Sequence, residues 1–261
     1  MSADRVRVEL DGSVATIIND NPEKRNAFDD EMDECLFEIF GELRTHPEVR
    51  AVVWRAEGEV WSSGRDVSAI GKNVTDLTHH ELMLRGHRGI LQLFDLDAPV
   101  IAALKGWVIG GSFQRALLCD MRIATKDTRF MLPELKYGVI PDTGGVSRLY
   151  QMCGHGVVSD MVLCGRVLDV IEAKELGIIS RIVEDDEELN QTAFEMARSI
   201  ASSPTIAVKL ARRVIHHLSE PTVRASMDDE LIYQTFLNRS DDFAEFKNSR
   251  TEGRVPTYRG S

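Results

Sequence analysis

The features that would indicate a membrane or nucleic-acid partner are missing from this 261-residue sequence. No apolar run reaches the roughly 18 residues of a membrane-spanning helix, and the first ten residues lack the apolar core of a secretion signal. Basic residues are the minority, with 31 Lys and Arg against 42 Asp and Glu, and the net charge of −11 disfavours nucleic acid and anionic lipid surfaces. We therefore expect a cytoplasmic protein that binds neither.

Signatures of metal and nucleotide sites are also absent. The four cysteines form no CxxC pair and are predicted to be buried free thiols in a reducing compartment. An HExxH zinc pattern starts at His80 but fails at Leu84, and neither a P-loop nor a GxGxxG motif occurs. The pairs His79-His80 and His216-His217 lie in polar helical stretches and are predicted to be solvated. The sequence therefore supports no metal site.

Hydrophobic periodicity alternates between strand and helix spacing in residues 1–184 and then keeps helical spacing in residues 185–261. Two short strands joined at Asp11-Gly12 form a predicted hairpin. Further strands are predicted at 52–55, 100–104, 122–125 and 129–131, and helices at 29–44, 81–94, 110–119 and from 146. Strands that repeatedly lead into helices favour parallel pairing, so we expect an α/β core followed by a helical segment.

Four segments carry a functional signal in this order: NPEKRNAF at 21–28, WSSGRD at 61–66, KGWVIGGSFQ at 105–114, and PE at 133–134 continuing to GVIPDTGG at 138–145. Together they resemble the crotonase (enoyl-CoA hydratase/isomerase) superfamily over nearly the whole chain. The resemblance implies a spiral core of repeated ββα units that binds an acyl-CoA thioester, with no cofactor beyond the coenzyme A of the substrate. It also implies a homotrimer or dimer of trimers, with residues 185–261 serving assembly and covering the active site.

Two glycine-containing turns suit the chemistry that this resemblance implies. Removing a proton beside a thioester, or adding a nucleophile one carbon further, places negative charge on the thioester oxygen, and two convergent N–H groups can hold that charge. Ser63-Gly64 and Gly110-Gly111 let a ligand approach the backbone closely, and the second pair opens a predicted helix. By resemblance, the N–H groups of Ser63 and Gly111 form the oxyanion hole. Tight strand-to-helix packing is the alternative explanation for Gly110-Gly111.

The same resemblance assigns the coenzyme A contacts to Lys24, Arg25, Ala27, Gly64, Arg65, Asp66 and Gly110. The cations suit phosphate groups, and a carbonyl near Ala27 suits the adenine amine. The alternative is that Lys24 and Arg25 belong to a charged loop before a helix whose N-cap is Asp29. Asp66 has its own alternative, as a local turn-holder.

Three residues decide the expected reaction. Hydratases of the resembled family use two glutamates, and the first of these positions is Gln114 here while the second is Glu134. A glutamine amide can orient water but cannot exchange a proton, whereas Glu134 alone can move a proton from C2 to C4 of a 3-enoyl thioester. Asp142, eight residues further along, is either a second acid of the pocket, as in dienoyl-CoA isomerase-like members, or an N-cap of the next helix.

These residues favour an enoyl-CoA isomerase, with an enoyl-CoA hydratase as the alternative reaction. A non-catalytic CoA-binding protein is the alternative of another class, and the retained Glu134 and glycine turns disfavour it. The length of the acyl chain stays open, because the pocket wall is expected to include residues 68–92.

Overall fold

The computed structural model describes residues 5–68 and 77–261. A six-stranded sheet forms its centre, with the strands β1 (Val6–Asp11), β2 (Val14–Asn19), β3 (Ala51–Ala56), β4 (Val100–Leu104), β6 (Met121–Thr125) and β9 (Arg181–Val183) in that spatial order. The first two form the predicted antiparallel hairpin, and every following pair is parallel, as the alternating pattern predicted. Three shorter strands, β5 (Trp107–Ile109), β7 (Arg129–Met131) and β8 (Leu168–Asp169), form a second sheet.

The helices within the described residues are α1 (Asp30–Thr45), α2 (His79–Asp95), α3 (Gly110–Leu118), α4 (Gly145–Leu163), α5 (Val170–Glu175), α6 (Asp186–Ala201), α7 (Thr205–His217), α8 (Glu220–Leu237) and α9 (Asp241–Glu252). Short 3-10 helices cover Pro22–Lys24 and Glu134–Tyr137. Asp29 is the N-cap of α1, as predicted, and accepts the Met32 N–H at 3.0 Å. No helix in these residues is both long and apolar enough to cross a membrane.

Both faces of the central sheet are buried at its inner strands β2, β3 and β4. Val52 and Trp54 of β3 lie in the core beneath α1 and α2, while Val53 between them lies in a second core on the opposite face. Because both faces are covered there, β3 and β4 are nearly continuous apolar runs rather than alternating ones. Helix α6 covers the second core through residues one turn apart, such as Ala193 and Ala197. The helical segment that begins at residue 185 therefore completes the core as well as extending beyond it.

A short strand brings the two glycine turns together. The Ser62 N–H donates to the Trp107 carbonyl at 3.2 Å, and the Ile109 N–H donates to the Ser62 carbonyl at 3.1 Å. Strand β5 therefore runs beside the turn at 62–64 and ends where α3 begins, at Gly110.

Two histidine predictions are wrong. His216 is buried, with Nε2 bonded to the Asp120 carboxylate at 2.7 Å, so α7 is tied to the segment between α3 and β6 rather than presenting this ring to water. His79 is half-buried beside Asn238, because α2 begins at His79 and packs against α8. Sequence spacing alone did not show which distant residues these two rings contact.

An apolar surface remains on the C-terminal helices. Along α7, the side chains of Ile206, Leu210, Val214 and Leu218 recur at helical spacing and are each more than half exposed. On α8, Phe236 is 74% exposed. Contiguous exposed apolar surface of this kind is typical of a protein–protein contact.

Candidate active site

A cavity of about 420 Å³ lies where the turn at 62–65, the start of α3, the loop at 133–143 and helices α2 and α8 meet. It brings together seven of the predicted site residues: Ser63, Gly64, Arg65, Gly110, Gly111, Glu134 and Asp142. Gln114 lies behind the wall, one turn into α3 and in contact with Glu134. Lys24, Arg25, Ala27 and Asp66 lie outside the cavity lining.

The two glycine turns touch, as close backbone approach requires. Gly64 has a left-handed φ of 91°, and a Cβ there would lie 2.8 Å from the Ile109 carbonyl oxygen. Gly110 has a φ of 59°, and a Cβ there would lie 3.3 Å from Oε1 of Glu134. Glycine is needed at both positions, since any side chain would strain the backbone and push the turns or the carboxylate away.

The prediction that Ser63 supplies an oxyanion-hole donor is wrong. Its N–H donates to the Arg25 carbonyl at 2.9 Å and is consumed within the protein, and the Gly64 N–H donates to a serine hydroxyl. The Arg65 N–H has no acceptor among the described residues. Gly111 is the second residue of α3, so its N–H has no carbonyl one turn back in the helix. Arg65 and Gly111 therefore offer the free N–H groups at this wall.

The Arg65 side chain is not available to a coenzyme A phosphate. Its guanidinium pairs with Asp33 at 3.0 Å and also with Asp30, both on α1. These ion pairs fix the turn at 62–65 against α1, so a coenzyme A contact of Arg65 would have to come from its backbone. The free N–H of Arg65 stays part of the cavity wall.

Asp66 holds the turn, as the alternative interpretation predicted. Its Oδ1 accepts the Ser68 N–H at 2.8 Å, and its Oδ2 lies 3.0 Å from Nζ of Lys24. Partial burial would raise the pKa of Asp66, but the hydrogen bonds from Ser68 and Lys24 outweigh it and lower the pKa to about 2. Lys24 and Arg25 are exposed, so the assignment of coenzyme A contacts to them and to Ala27 stays a prediction.

Glu134 has the properties of a proton-transferring group. It opens the 3-10 helix at 134–137, its Oε1 accepts a hydrogen bond of 2.9 Å from Nε2 of Gln114, and its Oε2 is buried without a partner among the described residues. Burial raises the pKa of Glu134 to about 7, against the lowering effect of the Gln114 hydrogen bond. A carboxylate that titrates near neutral pH can both accept and return a proton.

Gln114 is held at both ends of its amide. The oxygen accepts the Thr143 N–H at 2.8 Å and the Gly145 N–H at 3.4 Å, while the nitrogen donates to Glu134. These bonds fix which end of the amide faces the carboxylate. Gln114 therefore connects the loop before α4 to Glu134 and orients the acid.

Asp142 does not cap α4. That helix begins at Gly145 with Gly144 at the N-cap, and no side chain makes a capping hydrogen bond. Asp142 lines the cavity instead. Burial, reinforced by the nearby carboxylates of Glu230 and Glu134, raises the pKa of Asp142 to about 7. The cavity thus contains two acids that titrate near neutral pH.

Sequence reasoning missed the residues of α8 that hold the loop before α4. Glu230 is buried and accepts the Gly144 N–H at 2.8 Å, and Gln234, one turn later, accepts the Ile140 N–H at 3.1 Å. The available signal was the pair of polar residues at helical spacing beside the apolar Met227 and Leu231. Helix α8 thus lines the cavity through Gln234 and holds the loop at 133–143 in place.

Comparison with known proteins agrees with this geometry. The enoyl-CoA hydratase/isomerase family model matches residues 9–260. A carnitinyl-CoA dehydratase of Salmonella typhi is 31% identical over 263 aligned residues, which cover 99% of each chain. The solved enoyl-CoA hydratase/isomerase of Pseudoalteromonas atlantica T6c superposes with a TM-score of 0.89 at 26% identity, covering 98% of this chain and 100% of its own.

A solved enoyl-CoA hydratase of Mycobacterium avium subsp. paratuberculosis K-10 superposes with a TM-score of 0.86 at 22% identity, covering 98% of each chain, and shows the shared fold. The four motifs, the ββα architecture and these matches over the full length lead to one assignment. This chain belongs to the enoyl-CoA hydratase/isomerase family and has the crotonase fold.

Proposed function

We propose that the protein is an enoyl-CoA isomerase that shifts a carbon–carbon double bond of an acyl-CoA thioester. The observation that carries the proposal is the environment of Glu134. This cavity carboxylate has a pKa of about 7, its Oε2 has no hydrogen-bond partner in the part of the chain that the structure describes, and its neighbour is a glutamine that cannot exchange protons. One such base is sufficient for a double-bond shift. Glu134 is the proton carrier in this proposal.

The proposed reaction has two proton transfers. The ionised Glu134 takes a proton from C2 of a 3-enoyl thioester, and the electron pair moves through the thioester carbonyl to form a dienolate. The free N–H groups of Arg65 and Gly111 hold the oxyanion, and donors of this kind are each worth roughly 10²–10³ in rate. Glu134 then returns the proton at C4, which gives the 2-enoyl thioester with no cofactor other than the coenzyme A that the substrate carries.

Water addition is the second candidate, and two observations favour it. The carnitinyl-CoA dehydratase of Salmonella typhi is a full-length relative at 31% identity. Asp142 is also a second acid of the cavity, with its pKa raised to about 7, so it can supply the proton that hydration requires beside Glu134. We prefer isomerisation to hydration because Gln114 stands where the resembled hydratases have their first glutamate, and an amide cannot exchange a proton.

Turnover of two substrates separates the candidates. A 3-enoyl-CoA that becomes conjugated gains ultraviolet absorbance at the thioester, whereas hydration of a 2-enoyl-CoA loses it. We expect the first reaction to exceed the second in kcat/KM for the same chain length. Faster hydration would replace the isomerase proposal with the hydratase, and no turnover of either substrate over a panel of acyl-CoAs would favour the non-catalytic alternative.

We also propose that the protein assembles as a homotrimer or a dimer of trimers in the cytoplasm. The exposed apolar residues of α7 and α8, such as Leu218 and Phe236, supply the surface for such contacts. Lys24 and Arg25 are exposed beside the turn that ends at Asp66, where cations suit the phosphates of coenzyme A.

A further inference from the structure

Asp33 of α1 lies between two arginines that belong to the two elements carrying the oxyanion-hole donors. Its Oδ2 accepts a hydrogen bond of 3.0 Å from Nη1 of Arg65, and its Oδ1 lies 2.7 Å from Nη2 of Arg115. Asp33 and Arg115 are 8% and 9% exposed, and all three residues line the cavity. The proton transfers of the proposed reaction use none of these side chains.

The Arg65 side chain fixes the turn that carries the first donor, the Arg65 N–H. Its guanidinium pairs with Asp33 and with Asp30, two carboxylates that lie about one turn apart on α1. The turn is also bonded to Phe28, whose N–H donates to the Gly64 carbonyl at 2.8 Å. The position of the Arg65 N–H therefore depends on α1 and on the segment just before it.

The Arg115 side chain fixes the helix that carries the second donor, the Gly111 N–H. Gly111 and Arg115 are four residues apart on α3, so they lie on the same face of this helix, and both line the cavity. Among the described residues, Asp33 is the only carboxylate within ion-pair distance of Arg115. The guanidinium of Arg115 also lies over the ring of Phe28, 4.7 Å from its centroid, and thus contacts a residue that holds the other turn.

Stability alone does not explain a charged cluster at this place. Removing ions from water costs several kcal/mol per ion, and apolar side chains of similar volume often stabilise a protein as well or better. An ion pair adds a fixed geometry, because the carboxylate oxygen and the guanidinium N–H meet at a set distance and angle. An oxyanion hole needs such geometry, since a misplacement of about 1 Å can reduce a rate by roughly 10².

We infer that Asp33 is a positioning residue of the reaction. By pairing with both Arg65 and Arg115, it sets the distance between the N–H groups of Arg65 and Gly111, and so how strongly both donate to the thioester oxygen. The inference rests on the proposed function only in taking an acyl-CoA thioester as the ligand. Isomerisation and hydration both place negative charge on this oxygen, so either reaction would use the same two donors.

The carbonyl stretch of a bound thioester tests the inference without turnover. Hydrogen bonds to a carbonyl oxygen lower its stretching frequency, so isotope-edited infrared spectra of bound butyryl-CoA, labelled at the carbonyl carbon, report on both donors. The variant is Asp33→Asn, which keeps the shape of the side chain and removes its charge. The matched control is Asp120→Asn. The Asp120 side chain has the same 12% exposure and pairs with Arg212 at 2.9 Å, but it lies outside the cavity lining.

Asp33→Asn is expected to lose most of the frequency shift that the wild-type protein imposes on the thioester. It should lower kcat by roughly ten- to a hundredfold, while KM and the affinity for free coenzyme A change by less than about threefold. Asp120→Asn should lower the unfolding temperature, because it leaves a buried arginine without its charged partner, but should keep the frequency shift and kcat. A full shift in Asp33→Asn, an equal loss in Asp120→Asn, or no shift in the wild type would overturn the inference.

The double variant Asp33→Leu/Arg115→Leu decides the question if Asp33→Asn does not fold. It removes both charges of the pair and fills their space with apolar groups, so it should fold. Loss of the frequency shift and of kcat in this protein would support the positioning role, whereas wild-type values would show that the cluster is only structural. Absent isomerisation of 3-enoyl-CoA by the wild-type protein would count against the proposed function alone, because the infrared shift does not depend on turnover.

Discussion

Gln114 donates a hydrogen bond of 2.9 Å from its Nε2 to Oε1 of Glu134, while its own oxygen accepts the N–H groups of Thr143 and Gly145. Gln114 stands where the resembled hydratases have their first glutamate, and here it holds Glu134 in place. One amide connects α3, the loop at 133–143 and the start of α4. Substitutions at Gln114 should accordingly change both the orientation and the acidity of Glu134.

Replacing Glu134 by Gln should reduce isomerase turnover by roughly 10²–10⁴, because the amide keeps the shape of the side chain but cannot carry a proton. Affinity for a saturated acyl-CoA and the unfolding temperature should stay nearly unchanged. Steady-state kinetics and calorimetry measure these quantities. Activity close to that of the wild type would remove Glu134 from the catalytic role.

The pH profile of kcat/KM should rise through pH 7, because Glu134 must be ionised to take a proton and its pKa is about 7. The Gln114 hydrogen bond favours the ionised form and lowers this pKa. Gln114→Met removes the bond, so the pKa should rise further and the ascending limb should move to higher pH. Gln191→Met, at an exposed glutamine of α6, is the control and should leave the limb in place.

Two outcomes would contradict the assignment of the ascending limb to Glu134. One is a limb that does not move in Gln114→Met, and the other is a wild-type limb near the ordinary pKa of a glutamate. The loss of the two backbone hydrogen bonds to the Gln114 oxygen should also lower the stability of the variant. Thermal unfolding measures this loss of stability separately. A loss of stability changes the amplitude of the pH profile and not its midpoint.

Gln114→Glu should add or raise hydration of a 2-enoyl-CoA, because it restores a second carboxyl group beside Glu134. Two acids in contact raise the pKa of one of them, which favours a protonated partner able to deliver a proton. Hydration and isomerisation are measured in parallel for the wild type and the variant. Rapid hydration by the wild type, unchanged in the variant, would mean that Glu134 handles water with Asp142, and the hydratase assignment would then replace the isomerase.

Gly110→Ala should lower activity far more than stability. The added Cβ would lie 3.3 Å from Oε1 of Glu134 and would displace the carboxylate or the start of α3. Gly177→Ala is the matched control, because Gly177 also has a left-handed φ of 76° but has open space around its Cβ position. Both variants should share the backbone strain, and the loss of kcat should be specific to Gly110. Equal kcat in the two proteins would show that the cavity tolerates the extra atom.

The chain should behave as a trimer or hexamer in light scattering. Burying the apolar residues of α7 is favourable by roughly 25 cal/mol per Å² removed from water. Leu218→Asp, at a side chain that is 80% exposed in the single chain, should weaken assembly if this surface is the contact. A monomer for the wild-type protein would contradict the prediction.

Local sequence determined much of the fold. The hairpin at Asp11-Gly12, the N-cap at Asp29 and the regular apolar spacing of α1 and α2 each depend on residues within one or two turns of the chain. Such features follow from backbone preferences and side-chain periodicity, which the sequence shows directly. The glycine turns and the position of Glu134 were predicted from motifs for the same reason, because each motif is contiguous.

Tertiary structure decided the roles inside the site. Whether Ser63 or Arg65 keeps a free N–H depends on the Arg25 carbonyl, which a distant loop brings to the turn. Whether Asp142 is a cap or an acid depends on where α4 begins and on the Glu230 carboxylate from α8. A hydrogen-bond donor can be used once, and a pKa responds to every charge and to the burial around it. These quantities exist only after segments that are far apart in sequence have packed together, so motif positions alone could not predict them.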